Sequence, residues 1–476
     1  MEAEEKFITE PEEEKRFFLS RTKRILTLVL LYSIILFENS VITTFNMSTS
    51  AIQASLHIKD ETLRIFKIIY TFGQFISAIC TVMVLGQAQR KGTVLFSVFT
   101  ILGIVLIFQF TTNQMIILPF YFFSSFCIMS MNVFISLWID QLAIFSYKTM
   151  FLSVTNLSRA CGTCLSIYLN FIFGPEEFKK SFLVQGFFLA LIGIGVTQIN
   201  SNYFCSNLLT YKGRFGEERF KWKAKTQKDD IDIKSLDGES IYRFRHSGKS
   251  NKDKTVFTIL FNYAKNKRYV CGVISNVILN TATIGFSKFN MDYINNYFTI
   301  EKNDKFGALK NKLMLTIIGP FFALVLIFII SKLVGNYYSR TTPVLMFGFY
   351  LFITITGNII PYLTSYGALS YATIFYNIAA SAMGVYLQGT NLSAGTPSLK
   401  PYGVTIGTIS IILFAVTPAP YVYQTISNRV PKEYILNIYM KMLIMGAVFN
   451  FLMMIFRRGE YKPKEEKKPA IELSEK

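Results

Sequence analysis

The sequence predicts an all-α integral membrane protein of twelve transmembrane helices in two six-helix lobes. Three observations predict it. Long apolar runs of near the ~20 residues needed to cross a bilayer recur along the whole chain. A strongly charged segment, Ser201 to Arg268, interrupts them with about six runs on each side, and it carries 16 Lys or Arg against 8 Asp or Glu. Basic residues also border the runs on the side where both ends of the chain would lie. The expected organisation is a cytosolic tail over 1–24, an N-terminal lobe over 25–200, a basic cytosolic linker over 201–268, a C-terminal lobe over 269–456 and a second cytosolic tail over 457–476.

Composition alone would allow two soluble domains, since the chain has 476 residues and is 51% hydrophobic. Distribution argues against that. Thr93 to Phe110 and Met314 to Ser331 hold no charged residue, whereas soluble amphipathic elements spread charge along their length. The net charge of +19 does not call for nucleic acid, because the basic residues sit beside spans, where the positive-inside bias places them. Met1 to Glu14 is acidic and lacks the basic start of a secretory signal; Ile25 onward is expected to act as an uncleaved signal anchor. Cys80, Cys127, Cys161, Cys164 and Cys271 fall in or beside apolar runs and read as small packing residues. Cys161 and Cys164 form a CxxC without a second pair or a nearby His, so no zinc site and no cofactor is expected.

Taken in order, Lys15, Arg16, Arg21, Lys23 and Arg24 hold the N-terminus in the cytosol before a first span at Ile25 to Met47. The next five are expected at Ile65 to Leu85, Val94 to Thr112, Met115 to Ile139, Met150 to Phe173 and Phe182 to Ile199. Six crossings return the chain to the cytosol at the basic linker. The second set is expected at Val270 to Phe289, Lys312 to Ser331, Thr342 to Ile360, Ser370 to Gly389, Tyr402 to Val422 and Tyr434 to Phe456, closed by Arg457 and Arg458. Two readings of the linker stay open around Arg214 to Lys225: an amphipathic helix attracted to anionic lipid, or a solvated tether. Gly248-Lys249-Ser250 is no phosphate loop, because Arg243 stands where GxxxxGK[ST] needs its first Gly.

An ionisable group inside hydrocarbon is costly, so those retained deep in a span are functional candidates. Glu38 lies about fourteen residues into the first span, roughly 20 Å from its cytosolic end at ~1.5 Å per residue. It reads either as a protonatable carboxylate in a central cavity or as a fixed partner for Arg159 or an amide. Arg159, near mid-depth of the fifth span, keeps its charge and either binds an anionic solute or neutralises a carboxylate. Lys288, near the outer end of the seventh, is a third candidate whose aliphatic stem lets it snorkel. Lys67 and Lys441 also fall inside the span limits, nearer the outer ends. Asp140, at the cytosolic end of the fourth span, is expected to gate by binding Arg90 or Lys91, or simply to anchor the helix end. Asn46-Met47-Ser48 matches a glycosylation sequon hard against the first span. His57 and His246 fall on opposite sides of the membrane, as do Asp140 and Asp292, so neither histidine chemistry nor an aspartyl dyad assembles and no catalytic residue is expected.

Short motifs carry a resemblance. Phe37-Glu38-Asn39 followed by Ala51-Ile52-Gln53, Ser136-Leu137-Trp138-Ile139-Asp140-Gln141 with Lys148-Thr149-Met150 and Arg159-Ala160-Cys161-Gly162, Gly285 to Ile294, and Thr417-Pro418-Ala419-Pro420-Tyr421-Val422-Tyr423 together resemble the spinster-like branch of the major facilitator superfamily found in protists. The resemblance implies six plus six spans, alternating access, and proton-linked export of lysolipids or sphingoid phosphates as known uses. The chain departs from it at three places: Gln89 stands before Arg90 where an Asp is expected, Asn39 replaces an Arg beside the acid, and Arg159 replaces an uncharged residue.

The expected function is therefore secondary active transport of a small anionic or amphiphilic solute. Glu38, Arg159 and Lys288 are the candidate solute and proton sites, Arg90, Lys91 and Asp140 the gate, and protons the coupling ion. A monomer among membrane lipids is expected, with both termini cytosolic, in the plasma or endolysosomal membrane. The alternative is a non-transporting receptor or scaffold of the same fold that acts through its basic linker.

Overall fold

The computed structural model describes residues 21–55, 57–59, 62, 65, 69–70, 72–74, 76–77, 90–110, 113, 119, 122–128, 130–131, 148–199, 267–297, 305–333, 342–363, 366–395 and 432–460. The linker over 201–266, the predicted eleventh span and Asp140 lie outside them. Among the described residues the regular elements are all helical: α1 (Arg21–Met47), α2 (Thr49–Ser55), α3 (Arg90–Phe110), α4 (Lys148–Phe173), α5 (Phe178–Gln198), α6 (Lys267–Tyr297), α7 (Lys305–Leu333), α8 (Thr342–Ile359), α9 (Tyr366–Gly395) and α10 (Lys432–Glu460). In lipid, a helix satisfies its own backbone groups, which is why apolar runs of this length take that form.

Among the described residues seven helices are long and apolar enough to cross a membrane: Ile25–Met47, Lys91–Phe110, Phe178–Gln198, Leu309–Leu333, Thr342–Ile359, Gly367–Leu387 and Asn437–Phe456. The first coincides with the predicted span. α4 is long enough but rich in Ser, Thr and Asn, and its hydroxyls turn inward or back onto the helix, as when Ser158 Oγ donates to Val154 O at 2.9 Å. α6 departs most from expectation. Its apolar part is Val270–Thr283, yet the helix runs on through Asn290 and Asp292 to Tyr297. Lys288 therefore lies beyond the apolar part but still inside the helix.

Local chemistry sets the ends. Gly174 stops α4 at φ +81°, a conformation glycine adopts without a Cβ penalty, and its N–H donates to Asn170 O at 2.9 Å. Pro175 then bars continuation. Pro361 opens a single 3-10 turn (Ile360–Tyr362) that ends the α8 segment.

In the first half α1 packs on α4 and α5, and α3 on α5; in the second, α6 packs on α10 and α9, α7 on α9, and α8 on α9 and α10. The halves meet where α4 lies against α7 and α9. One buried apolar cluster runs through both, from Leu28, Leu31, Ile34 and Leu152 to Tyr376, Met383 and Leu387. A second stays within the first half around Ile101, Val105, Phe108, Phe182 and Leu189. Phe187, Ile194, Phe321, Ile329, Ile355 and Val448 face outward, an arrangement that suits lipid and would expose a large apolar surface to water.

Candidate functional site

The site begins on α1. Glu38 is 3% exposed, and its Oε1 has no hydrogen-bond partner. A carboxylate oxygen without a partner away from water is expensive to keep, so it marks a place where a proton or a cation belongs. Arg159, on the facing helix α4, is a cation whose field reaches it, and the field of Glu38 in turn reaches Tyr70 and Cys127. The Arg159 guanidinium makes a long contact of 3.4 Å from Nη1 to Asn156 Oδ1 on its own helix. The two residues that stood out in the sequence as charges within apolar runs thus lie on two helices that pack against each other.

That pair is held by neutral polar residues. Tyr32 donates to Phe151 O at 2.9 Å. Asn39 Nδ2 donates to Arg159 O at 2.7 Å and to Thr163 Oγ1 at 2.8 Å. Thr44 and Ser166 share a hydroxyl bond of 2.7 Å. From α5, Gln185 Nε2 donates to Ser40 Oγ at 2.8 Å and Thr44 Oγ1 at 2.6 Å. The helices approach so closely that a Cβ on Gly162 would lie 2.2 Å from Leu36 O; only glycine fits there. Small residues and hydroxyls at such a seam are how membrane helices associate when lipid removes the hydrophobic drive.

Sequence reasoning missed Asn39, Thr163 and Gln185 as working parts. Neutral residues announce nothing in an apolar run; the available signal was the departure at Asn39 and the small-residue run through Gly162. In the second half, Asn280 Nδ2 donates to Asn276 Oδ1 at 3.2 Å on α6, a part-buried amide pair that also went unmarked.

The remaining candidates are placed as follows. Lys91 Nζ donates to Thr197 O at 2.7 Å and Ile199 O at 2.5 Å, so it holds the last carbonyls of α5, a position that favours a cation. Arg90 is the first residue of α3 and Lys288 lies in α6; their side chains, like Asp140, lie outside the described residues. Cys161 and Cys164 are free thiols, and Cys164 Sγ donates to Leu313 O at 3.7 Å where α4 meets α7.

No family matches the chain by sequence, and no curated protein matches it by sequence. Solved structures match it in fold. The major facilitator superfamily proton:xylose symporter XylE, bound to 6-bromo-6-deoxy-D-glucose, is 11% identical with a TM-score of 0.61, over 90% of this chain and 95% of that one. A double-tryptophan mutant of XylE is 11% identical with a TM-score of 0.65 over the same 90% and 95%. The E. coli fucose:proton symporter FucP is 10% identical with a TM-score of 0.59, over 92% of this chain and 98% of that one. Identity this low speaks to fold alone: the chain is an all-α integral membrane protein with the major facilitator fold.

Proposed function

We propose that the protein is a secondary active transporter that works by alternating access, with Glu38 as its proton-responsive group and Arg159 attracting an anionic or amphiphilic solute. The observation that carries this is the buried Glu38 with an unpartnered Oε1 on the helix that packs against the helix of Arg159. The fold supports it, because proton symporters are among its solved representatives. A carboxyl that can be neutral or charged, next to a guanidinium that keeps its charge, gives two states of different net charge. Binding of a proton or of an anionic solute then competes for the same local balance.

The spinster-like branch is our assignment from the motifs around Glu38, Asp140, Lys288 and Pro418. It makes lysolipids the first solutes to test, alongside the sugars named for FucP and XylE. The flanking basic residues favour cytosolic termini, and Lys288 together with the gate of Arg90, Lys91 and Asp140 belongs to this proposal.

A ligand-stabilisation screen of the purified protein over lysolipids, nucleotides, sugars and amino acids identifies the solute; shifts that vanish in Arg159→Ala locate it. With that solute in proteoliposomes, Glu38→Gln is expected to abolish the pH dependence of uptake while insertion stays intact. Unchanged proton coupling in that variant would sink the assignment.

A further inference from the structure

We propose that Asn39 is the positioning residue for Glu38 and Arg159: its side-chain amide fixes α4 against α1 in the register that sets the helical turn of Arg159 against Glu38. This rests on the reading of Glu38 as the proton-responsive group.

The Asn39 amide donates twice, to Arg159 O at 2.7 Å and to Thr163 Oγ1 at 2.8 Å. Thr163 Oγ1 donates in turn to Arg159 O at 3.2 Å, which closes a triangle on that carbonyl. The backbone held is thus that of Arg159 itself, and the residue holding it is the chain neighbour of Glu38. No intervening side chain can absorb a slip between them. The glycine contact of Gly162 against Leu36 O lies beside the triangle and sets the interhelical distance.

The other bonds of the seam, Tyr32 to Phe151 O and Thr44 to Ser166, lie toward the two ends of α1 on either side of the triangle. They hold the helices together when Asn39 is cut back, but neither touches the turn that carries Arg159. A carboxamide also adds no charge, so it orients the pair without competing for the proton. The charged or titratable groups acting with Glu38 are Arg159 on α4, Tyr70, and Cys127.

The test reads protonation of Glu38 without transport. The full chain in nanodiscs is treated at pH 7 with dicyclohexylcarbodiimide, which modifies protonated carboxyls in apolar surroundings, and the Glu38 adduct is quantified by mass spectrometry; Glu38→Gln removes that adduct. Repeated over a rising pH series, Asn39→Ala is expected to raise labelling several-fold at the alkaline end, because a displaced Arg159 no longer competes with the proton. Arg159→Gln is expected to raise it similarly, and the double variant to add nothing more, as for residues that act through one another. Gln109→Ala, which removes a bond to Lys179 O between α3 and α5, away from the α1–α4 seam, is expected to leave labelling unchanged.

Unchanged labelling in a folded Asn39→Ala protein, or a double variant in which both effects add in full, overturns the proposal. Should Asn39→Ala fail to fold, Thr163→Val removes the second leg of the triangle: raised labelling supports the inference, unchanged labelling overturns it. Failure of the transporter reading would show instead in vesicles, as a flux indifferent to Glu38→Gln.

Discussion

Gly162 shows how little room a single position leaves at the α1–α4 seam. Its would-be Cβ meets the carbonyl of Leu36 at 2.2 Å, and that carbonyl belongs to a helix backbone that cannot rotate away. Gly162→Leu should cost about 1–3 kcal/mol or more, as overpacked cores do, measured as a lowered melting temperature in detergent. Gly103, which has nothing within 4 Å of its would-be Cβ, should accept leucine with little change. Charged residues were legible at this scale, since Glu38 and Arg159 stand out against apolar neighbours, and the helices that carry them pack together. Neutral ones were not. Asn39 finds its partners some 120 residues away, and nothing within α1 itself points to them.

At the scale of elements, the polar face of α1 is shared between two neighbours. Asn39 serves α4 and Thr44 also reaches Ser166 there, whereas Gln185 of α5 donates to both Ser40 and Thr44. Gln185→Ala deletes both of these latter bonds and should destabilise the protein by about 1 kcal/mol, the usual scale for hydrogen bonds between membrane helices, as read by thermal unfolding in detergent. Apolar runs revealed the helices well where hydrophobicity and helix coincide, as in Ile25–Met47. They failed for α6, which runs past its apolar part through Asn290 and Asp292 to Tyr297. Backbone hydrogen bonding continues beyond the apolar stretch there, so a boundary drawn on hydrophobicity stops short of the helix.

Across the whole molecule, one described contact between halves differs in kind from the bonds within the first half. Inside it, amide and hydroxyl groups meet at 2.6 to 2.8 Å. Where α4 meets α7, a thiol reaches a carbonyl at 3.7 Å, a weaker bond by the nature of sulfur. If the halves rock as transporters of this fold require, the linker has only to tether them. Deletion of Lys225 to Lys254 is then expected to preserve flux of the identified solute in proteoliposomes; a protein acting through its basic linker would lose its role instead.

The α1–α4 seam also governs which changes in chain length the protein can accept. Tyr32, Asn39 and Thr44 pair with Phe151, Arg159 and Ser166, so the two helices run parallel with a nearly constant offset. One residue inserted between Tyr32 and Thr44 would turn everything beyond it by roughly 100° about the helix axis and aim the later polar groups at the wrong neighbours. The same insertion in a loop between α1 and α4 leaves every one of these pairings in phase. Descendants of this gene should therefore vary in length between the two helices and hardly ever within them, even where individual side chains have drifted.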